Sequence, residues 1–178
     1  RRVLFRSILP DDFDLNGIND SKKLSEKQRR FLFPLIQTQA LAVGVGSASH
    51  EEIDQINILQ ASLLSMQRAV DNLSITPDYL LIDGKFTIDH PVDQLPVVKG
   101  DSKSISIAAA SIVAKVTRDQ MMEALHHTYP MYHFSRHKGY PTKAHKAAIC
   151  RYGPSPVHRR TFRGVATKAA APSAGGSR

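Results

Sequence analysis

The chain has 178 residues, 24 Lys and Arg against 16 Asp and Glu, and a formal net charge of +8. That length suits one domain with a sizeable core, and a 42% hydrophobic share with 22% charged residues excludes disorder, collagen and coiled coil for most of it. The single Cys excludes a disulfide scaffold and points to a reducing compartment, the cytoplasm, and no apolar run is long enough for a membrane-spanning helix.

The charge is uneven. Residues 1–100 hold 11 basic and 13 acidic side chains, whereas residues 101–178 hold 13 and 3, with six of the eight His. Many of the later charges sit between apolar positions, which favours a nucleic-acid face over a solvated tail.

Ile8-Leu9-Pro10 reads as the end of a strand and Asp11-Asp12-Phe13-Asp14 as a turn. Ser25 and Gln28 have the spacing of a capping box, so a helix is expected from Ser25. Phe31, Leu32, Leu35 and Ile36 form its apolar stripe, and Pro34 is expected to kink or shorten it. Leu41 to Gly46 reads as a strand, its Gly44-Val45-Gly46 too short a signal for a dinucleotide site. A long helix is predicted from about Gln55 to Asn72, with Ile58, Leu59, Ser62, Leu63, Met66 and Val70 on one face. Tyr79 to Gly84 is a buried strand stopped by an Asp-Gly turn, and Leu95 to Val98 is a second short strand ending at Gly100-Asp101.

Ser102 or Ser104 can cap the next helix, whose Ala108, Ala109, Ala110 and Ala114 permit close packing on a sheet. It should reach about His127, with Pro130 at its exit. Arg136 to Thr142 reads as a polar loop, and Lys143 to Tyr152 as a short helix stopped by Gly153-Pro154. Residues 166–178 are Ala/Gly/Ser-rich without periodicity and read as a disordered tail. Alternating strands and helices give an α/β architecture.

Asp83 ends an apolar strand, where an ionised side chain has no packing purpose. Asp101 follows the second strand at a helix start, which favours its ionised form. Taken singly, Asp83 reads as a turn residue and Asp101 as a cap. Together, ahead of a basic half, they favour a site for a hard divalent ion doing phosphodiester chemistry. Lys22 and Lys23 are either an exposed pair before a helix or phosphate contacts. Arg136, His137, Lys138 and Tyr140 combine cations with an aromatic able to stack on a sugar or base, and Gly139 lets backbone approach a ligand. The His residues at 126, 127, 133, 137 and 145 are too irregular for zinc, and Cys150 reads as a small buried apolar group.

Several segments in collinear order resemble bacterial ribonuclease HII, the type 2 ribonuclease H. They are Asn19-Asp20-Ser21-Lys22-Lys23-Leu24-Ser25, Ile56-Asn57-Ile58-Leu59-Gln60-Ala61 and Leu81-Ile82-Asp83-Gly84. Lys99-Gly100-Asp101-Ser102 follows, with Ala109 to Asp119. Then come His137-Lys138-Gly139-Tyr140-Pro141-Thr142 and the stretch from Gly153 to Phe162. The resemblance covers about residues 8–165. It implies a ribonuclease H-like fold, a mixed sheet flanked by helices. It implies an endonuclease that leaves 5′-phosphomonoesters, acting on the RNA strand of RNA–DNA hybrids and at ribonucleotides embedded in duplex DNA. It also implies four carboxylates binding Mg²⁺ or Mn²⁺ in two-metal hydrolysis. Asp83 and Asp101 match the third and fourth. Lys22 would contact phosphate and Tyr140 would stack near the DNA side of the junction; Asp119 falls in the helix pattern and reads as structural.

The family's first strand carries Asp-Glu followed by Ala-Gly-Arg-Gly, and this sequence has no such segment. Arg1 to Ser7 reads as a stub without family resemblance. The expectation is a chain shortened at its N-terminus by a sequencing accident, lacking its first strand, exposing a sheet edge, poorly stable and nearly inactive. A monomer is expected. The alternative is a non-catalytic binder of RNA–DNA hybrids, and a third reading is a structural or interaction module.

Overall fold

The computed structural model describes residues 2–13, 17–163 and 165. The order is β1 (Arg2–Ile8), α1 (Glu26–Gln39), β2 (Ala42–Ala48), α2 (His50–Asp71), β3 (Leu80–Asp83) and β4 (Gln94–Val97). Then follow a 3-10 turn (Gly100–Ser102), α3 (Ile105–Thr128), a second 3-10 turn (Pro130–Tyr132), α4 (Phe134–His137) and α5 (Lys143–Tyr152). Two compact units divide at Asp119 and Gln120. The tail expected to be disordered lies outside the described residues.

The strands form two pairs. β1 runs antiparallel to β2, from Arg2 opposite Ala48 to Ile8 opposite Ala42. β3 runs parallel to β4, with Leu80 opposite Gln94 and Asp83 opposite Val97. The mixture of directions expected of the sheet is present, divided between two ladders among the described residues. The strand ending at Ile8 extends back to Arg2, through the segment that had read as a stub.

The capping box at α1 is formed: Ser25 Oγ accepts from the Gln28 N–H, and the Gln28 side chain accepts from the Ser25 N–H. α1 runs five residues beyond Pro34, so the proline does not shorten it. Thr38 Oγ donates to the Pro34 carbonyl at 2.5 Å. Leu32 and Ile36 are buried, but Phe31 is 68% exposed, so the stripe is narrower than expected.

α2 begins earlier than its apolar spacing suggests, behind a second capping box of Ser49 and Glu52. It is broken at Asn57, whose backbone is left-handed in φ (φ 66°, ψ 168°). The Asn57 side chain caps the second piece, its Oδ1 accepting from the N–H groups of Leu59 and Gln60. Ile58 and Leu59 are exposed, and the buried face is Ala61, Ser62, Ser65, Ala69 and Val70. Small residues face inward because the helix lies on the backbone of β2. A methyl group at Gly44 would stand 1.9 Å from the Ala69 carbonyl oxygen, and one at Gly46 2.0 Å from that of Ser65. Val70, Leu80, Ile82 and Ile88 build the core beneath β3.

In the second unit, Met122, Tyr132, Phe134, Ala148, Ile149 and Val165 form a separate core. Thr142 caps α5 by accepting from the His145 N–H, and Gly153 ends it at φ 75°. Cys150 is exposed, against the buried position expected of it.

Candidate metal centre and nucleic-acid interface

β3 and β4 bring two carboxylates to one turn. The Gly84 N–H donates to the Val97 carbonyl at 3.1 Å, tying the strand ends together. Lys99 then takes a left-handed conformation (φ 57°), and the chain closes into the Gly100–Ser102 turn. Gly100 donates its N–H to Asp83 Oδ1 at 2.9 Å. A methyl group on Gly100 would meet Ile107 Cδ1 at 2.5 Å and Asp83 Oδ1 at 3.4 Å. Glycine therefore lets this turn seat against Asp83 and α3 together. Asp101 sits in this turn, before Ser104 and the start of α3, rather than in the helix itself. Ser104 occupies the cap, with a long 3.5 Å bond from the Ile107 N–H.

Asp101 is 6% exposed, whereas Asp83 is exposed. A buried carboxylate needs a partner, and Lys22 Nζ stands 3.4 Å from Asp101 Oδ2. The Lys22 side chain is itself 80% exposed, so this pair adds little stability. The charge and hydrogen bond of Asp101 hold the Lys22 ammonium above its ordinary value, with Asp20 and Asp83 adding to the effect. Asp20 turns the segment, its Oδ1 accepting the Lys22 N–H at 2.9 Å. That backbone hydrogen bond, followed by the Lys22 charge, holds the Asp20 carboxyl below its usual range. Asp20, Lys22, Asp83 and Asp101 are thus one electrostatic group.

Among the described residues, no group of three or more His, Cys, Asp or Glu is placed to hold a metal. Asp83 and Asp101 form an all-oxygen, anionic donor pair. That chemistry fits a hard ion such as Mg²⁺, which keeps several waters and binds through one or two carboxylates plus substrate phosphates. The histidines at 126, 127, 133, 137 and 145 form no such group. Asp119 is buried and paired with Lys115 Nζ at 2.8 Å, a structural contact.

The sequence nominated Lys22, Asp83 and Asp101 but missed Asp20 and Gly100. Asp20 precedes Lys22 by two residues, the spacing of an Asx turn, and that was the available signal. It also missed Ser21, buried and joined to Ser111 Oγ on α3 at 2.7 Å.

In the second unit, the segment expected as a polar loop begins inside a helix, since its first two residues, Arg136 and His137, belong to α4 (Phe134–His137). Arg136 is exposed and Tyr140 is 57% exposed. Lys138 turns the chain at φ 48° and Gly139 at φ 82°. The Lys138 ammonium lies 3.0 Å from Glu123 Oε1, with its side chain only 14% exposed. His137 corrects an expectation. It is buried, with Nε2 2.7 Å from the Tyr132 carbonyl and Nδ1 accepting from the Gly139 N–H at 3.2 Å. Both ring nitrogens serve the fold, so it offers nothing to a phosphate.

The profile of the family described as Ribonuclease HII matches residues 8–165. The chain belongs to the ribonuclease HII family. A ribonuclease HII of Geobacter sulfurreducens is 58% identical over 158 residues, covering 89% of this chain and 73% of that protein. The ribonuclease H2 of Pyrococcus horikoshii superposes with a TM-score of 0.67 at 27% identity, over 84% of this chain and 79% of that one. A Bst ribonuclease HIII solved in complex with Mn²⁺ shares the fold, with a TM-score of 0.56 at 18% identity over 84% of this chain and 56% of that one. Members of the ribonuclease HII family are endoribonucleases, and their fold is the α/β ribonuclease H-like one. No described helix is long and apolar enough to cross a membrane.

Proposed function

We propose that this protein is a divalent-metal-dependent endonuclease that cuts the RNA strand of RNA–DNA hybrids and cuts at ribonucleotides embedded in duplex DNA. The observation that carries this reading is the meeting of Asp83, Asp101 and Lys22 around the Gly100 turn, in a ribonuclease HII chain. Asp83 and Asp101 would hold Mg²⁺ or Mn²⁺. Such an ion supplies an activated water and stabilises a leaving oxygen. Gly100 holds Asp83 in place through its N–H, and the buried Asp101 is paired with Lys22. Lys22, exposed along most of its length, is suited to a substrate phosphate. Arg136 and Tyr140 supply an exposed cation and a stacking surface in the second unit.

The 178-residue chain carries two of the four carboxylates that the family resemblance implies, so its own turnover is expected to be slow. Metal binding therefore gives a firmer test than rate. Mn²⁺ titration followed by electron paramagnetic resonance should show binding in the unaltered chain. Affinity should fall in Asp83→Asn and Asp101→Asn by more than the roughly 10–100-fold typical of residues behind the ligands. Cleavage of a hybrid with a fluorescent label on its RNA strand should fall with it. Unchanged Mn²⁺ affinity in both variants would overturn the assignment. A chain that binds hybrid but shows no metal-dependent cutting would be the non-catalytic binder instead.

A further inference from the structure

The second unit contains a buried histidine group that the cleavage chemistry does not use. His137, His145 and His158 are all buried. The rings of His137 and His145 stack with centroids 4.1 Å apart and an interplanar angle of 17°. His145 Nε2 and His158 Nε2 are 3.0 Å apart, the length of one hydrogen bond, so one ring donates and the other accepts.

The outer nitrogens settle the direction. His158 Nδ1 lies 3.0 Å from the Ser155 backbone N–H, which only donates. Nδ1 is therefore bare, and His158 carries its proton on Nε2. Ser155 Oγ, 2.7 Å from the same Nδ1, must donate as well. His145 Nδ1 lies 2.9 Å from the Tyr140 carbonyl, which only accepts. His145 therefore carries its proton on Nδ1 and accepts at Nε2. The chain runs one way, from Ser155 through His158 and His145 to the Tyr140 carbonyl, with both rings neutral. The stacked His137 works beside it, accepting the Gly139 N–H on Nδ1. Two imidazoles thus hold the backbone on both sides of the Gly139–Tyr140 bond.

We propose that His145 and His158 are positioning residues, which through this one-way hydrogen-bond chain set the backbone of Tyr140 and so the ring face it presents to nucleic acid. The proposal rests on the reading of the Arg136–Tyr140 segment as a nucleic-acid contact. The surroundings keep the pair neutral. Burial first, then the charge on the neighbouring imidazole, pushes His158 down to about 4, and Arg160 and His137 act in the same direction. Burial also lowers His145, with His137 adding to it. The Tyr132 and Phe134 rings line the remaining sides. A proton added to His145 would place two N–H groups face to face at Nε2, and one added to His158 would face the Ser155 N–H at Nδ1; either breaks the chain.

Two variants separate its links. In His158→Asn, the amide oxygen can still accept from Ser155, but no donor reaches His145. In His158→Gln, the amide nitrogen stands where Nε2 stood and restores that donor. Affinity for an RNA–DNA hybrid would be measured by fluorescence anisotropy in metal-free buffer for these two, for Tyr140→Ala and for Tyr140→Ala with His158→Asn. Tyr140→Ala should weaken binding by at least about fivefold. His158→Asn should weaken it by a similar factor, and His158→Gln should recover most of the loss. The double variant should bind no worse than Tyr140→Ala alone, because His158 acts through Tyr140.

Additive losses in the double variant overturn the proposal, as does His158→Asn binding like the unaltered chain. If Tyr140→Ala weakens binding and His158→Asn does not, the nucleic-acid reading stands and the positioning role alone falls. If Tyr140→Ala has no effect, both fall. Imidazole nitrogen NMR of the unaltered chain needs no variant: it should show His145 protonated on Nδ1 and His158 on Nε2, and the opposite tautomers overturn the chain outright.

Discussion

Replacing Gly46 with Ala tests how closely α2 lies on β2. The new methyl would stand 2.0 Å from the Ser65 carbonyl oxygen and 2.4 Å from the Ala69 nitrogen. Both are backbone atoms of one helix, so no side chain can turn away to relieve the contact. To restore ordinary contact the helix must recede by more than about 1 Å, and a gap of that size forfeits a quarter to a half of the contact energy along the interface. Overpacking a well-filled core costs about 1–3 kcal/mol, and two rigid partners place Gly46→Ala at or beyond the upper end. The assay is urea unfolding followed by circular dichroism. With a slope of about 2 kcal/mol per molar, the midpoint should fall by roughly 1.5 M. Val45→Ala, on the exposed side of the same strand, is the control and should stay within about 0.5 kcal/mol. A Gly46→Ala loss no larger than that of the control would refute the close packing and, with it, the reason for the small residues on α2.

The remaining predictions concern charge. His158 is neutral in the folded chain down to about pH 4, but takes up a proton near its ordinary 6.5 when unfolded. The unfolded state therefore binds more protons between these values, so stability is complete above about pH 6.5 and falls as pH drops toward 4. The full effect is up to about 3 kcal/mol. Urea unfolding at several pH values should show a shallower acid dependence for His158→Gln than for the unaltered chain, and parallel curves would count against it. Lys22→Ala should weaken hybrid binding and reduce the slope of log affinity against log salt by about 1, the share of one phosphate contact. An unchanged slope would confine Lys22 to its pairing with Asp101.

Local chemistry was legible where a few adjacent residues decide the structure. Ser25 with Gln28, the Asp-Gly end of β3 and the Gly153 stop are short-range signals, and each element boundary they mark is present. Asp83 stood out because a carboxylate at the end of an apolar strand has no packing role, Asp101 because it follows a second strand ahead of a helix, and the structure brings both to the Gly100 turn. What failed was the choice of buried face. Ile58 and Leu59 looked like core by hydrophobicity, yet α2 buries Ala61, Ser65 and Ala69, because contact with a glycine-bearing strand selects for small size. Pro34 does not shorten α1, which tolerates the one helical bond its missing N–H costs. His137 misled because a cationic neighbourhood says nothing about which ring nitrogens are already engaged. The histidine chain could not be read in advance, since its members come from α5 and from loops on either side of it.

The break at Asn57 also changes how the helix can be edited. In an unbroken helix, the eight residues from Ile53 to Ala61 would rotate the two side chains about 80° apart around the axis. That is within one apolar stripe, and both pack into one cluster with Ala48. The break resets the angular phase, so the segment before Asn57 and the segment after it are aligned independently. A one-residue insertion between Ala61 and Ala69 would turn the following face by about 100° and misplace it. At the Asn57 joint, where the phase is already interrupted, the same insertion has room to be absorbed.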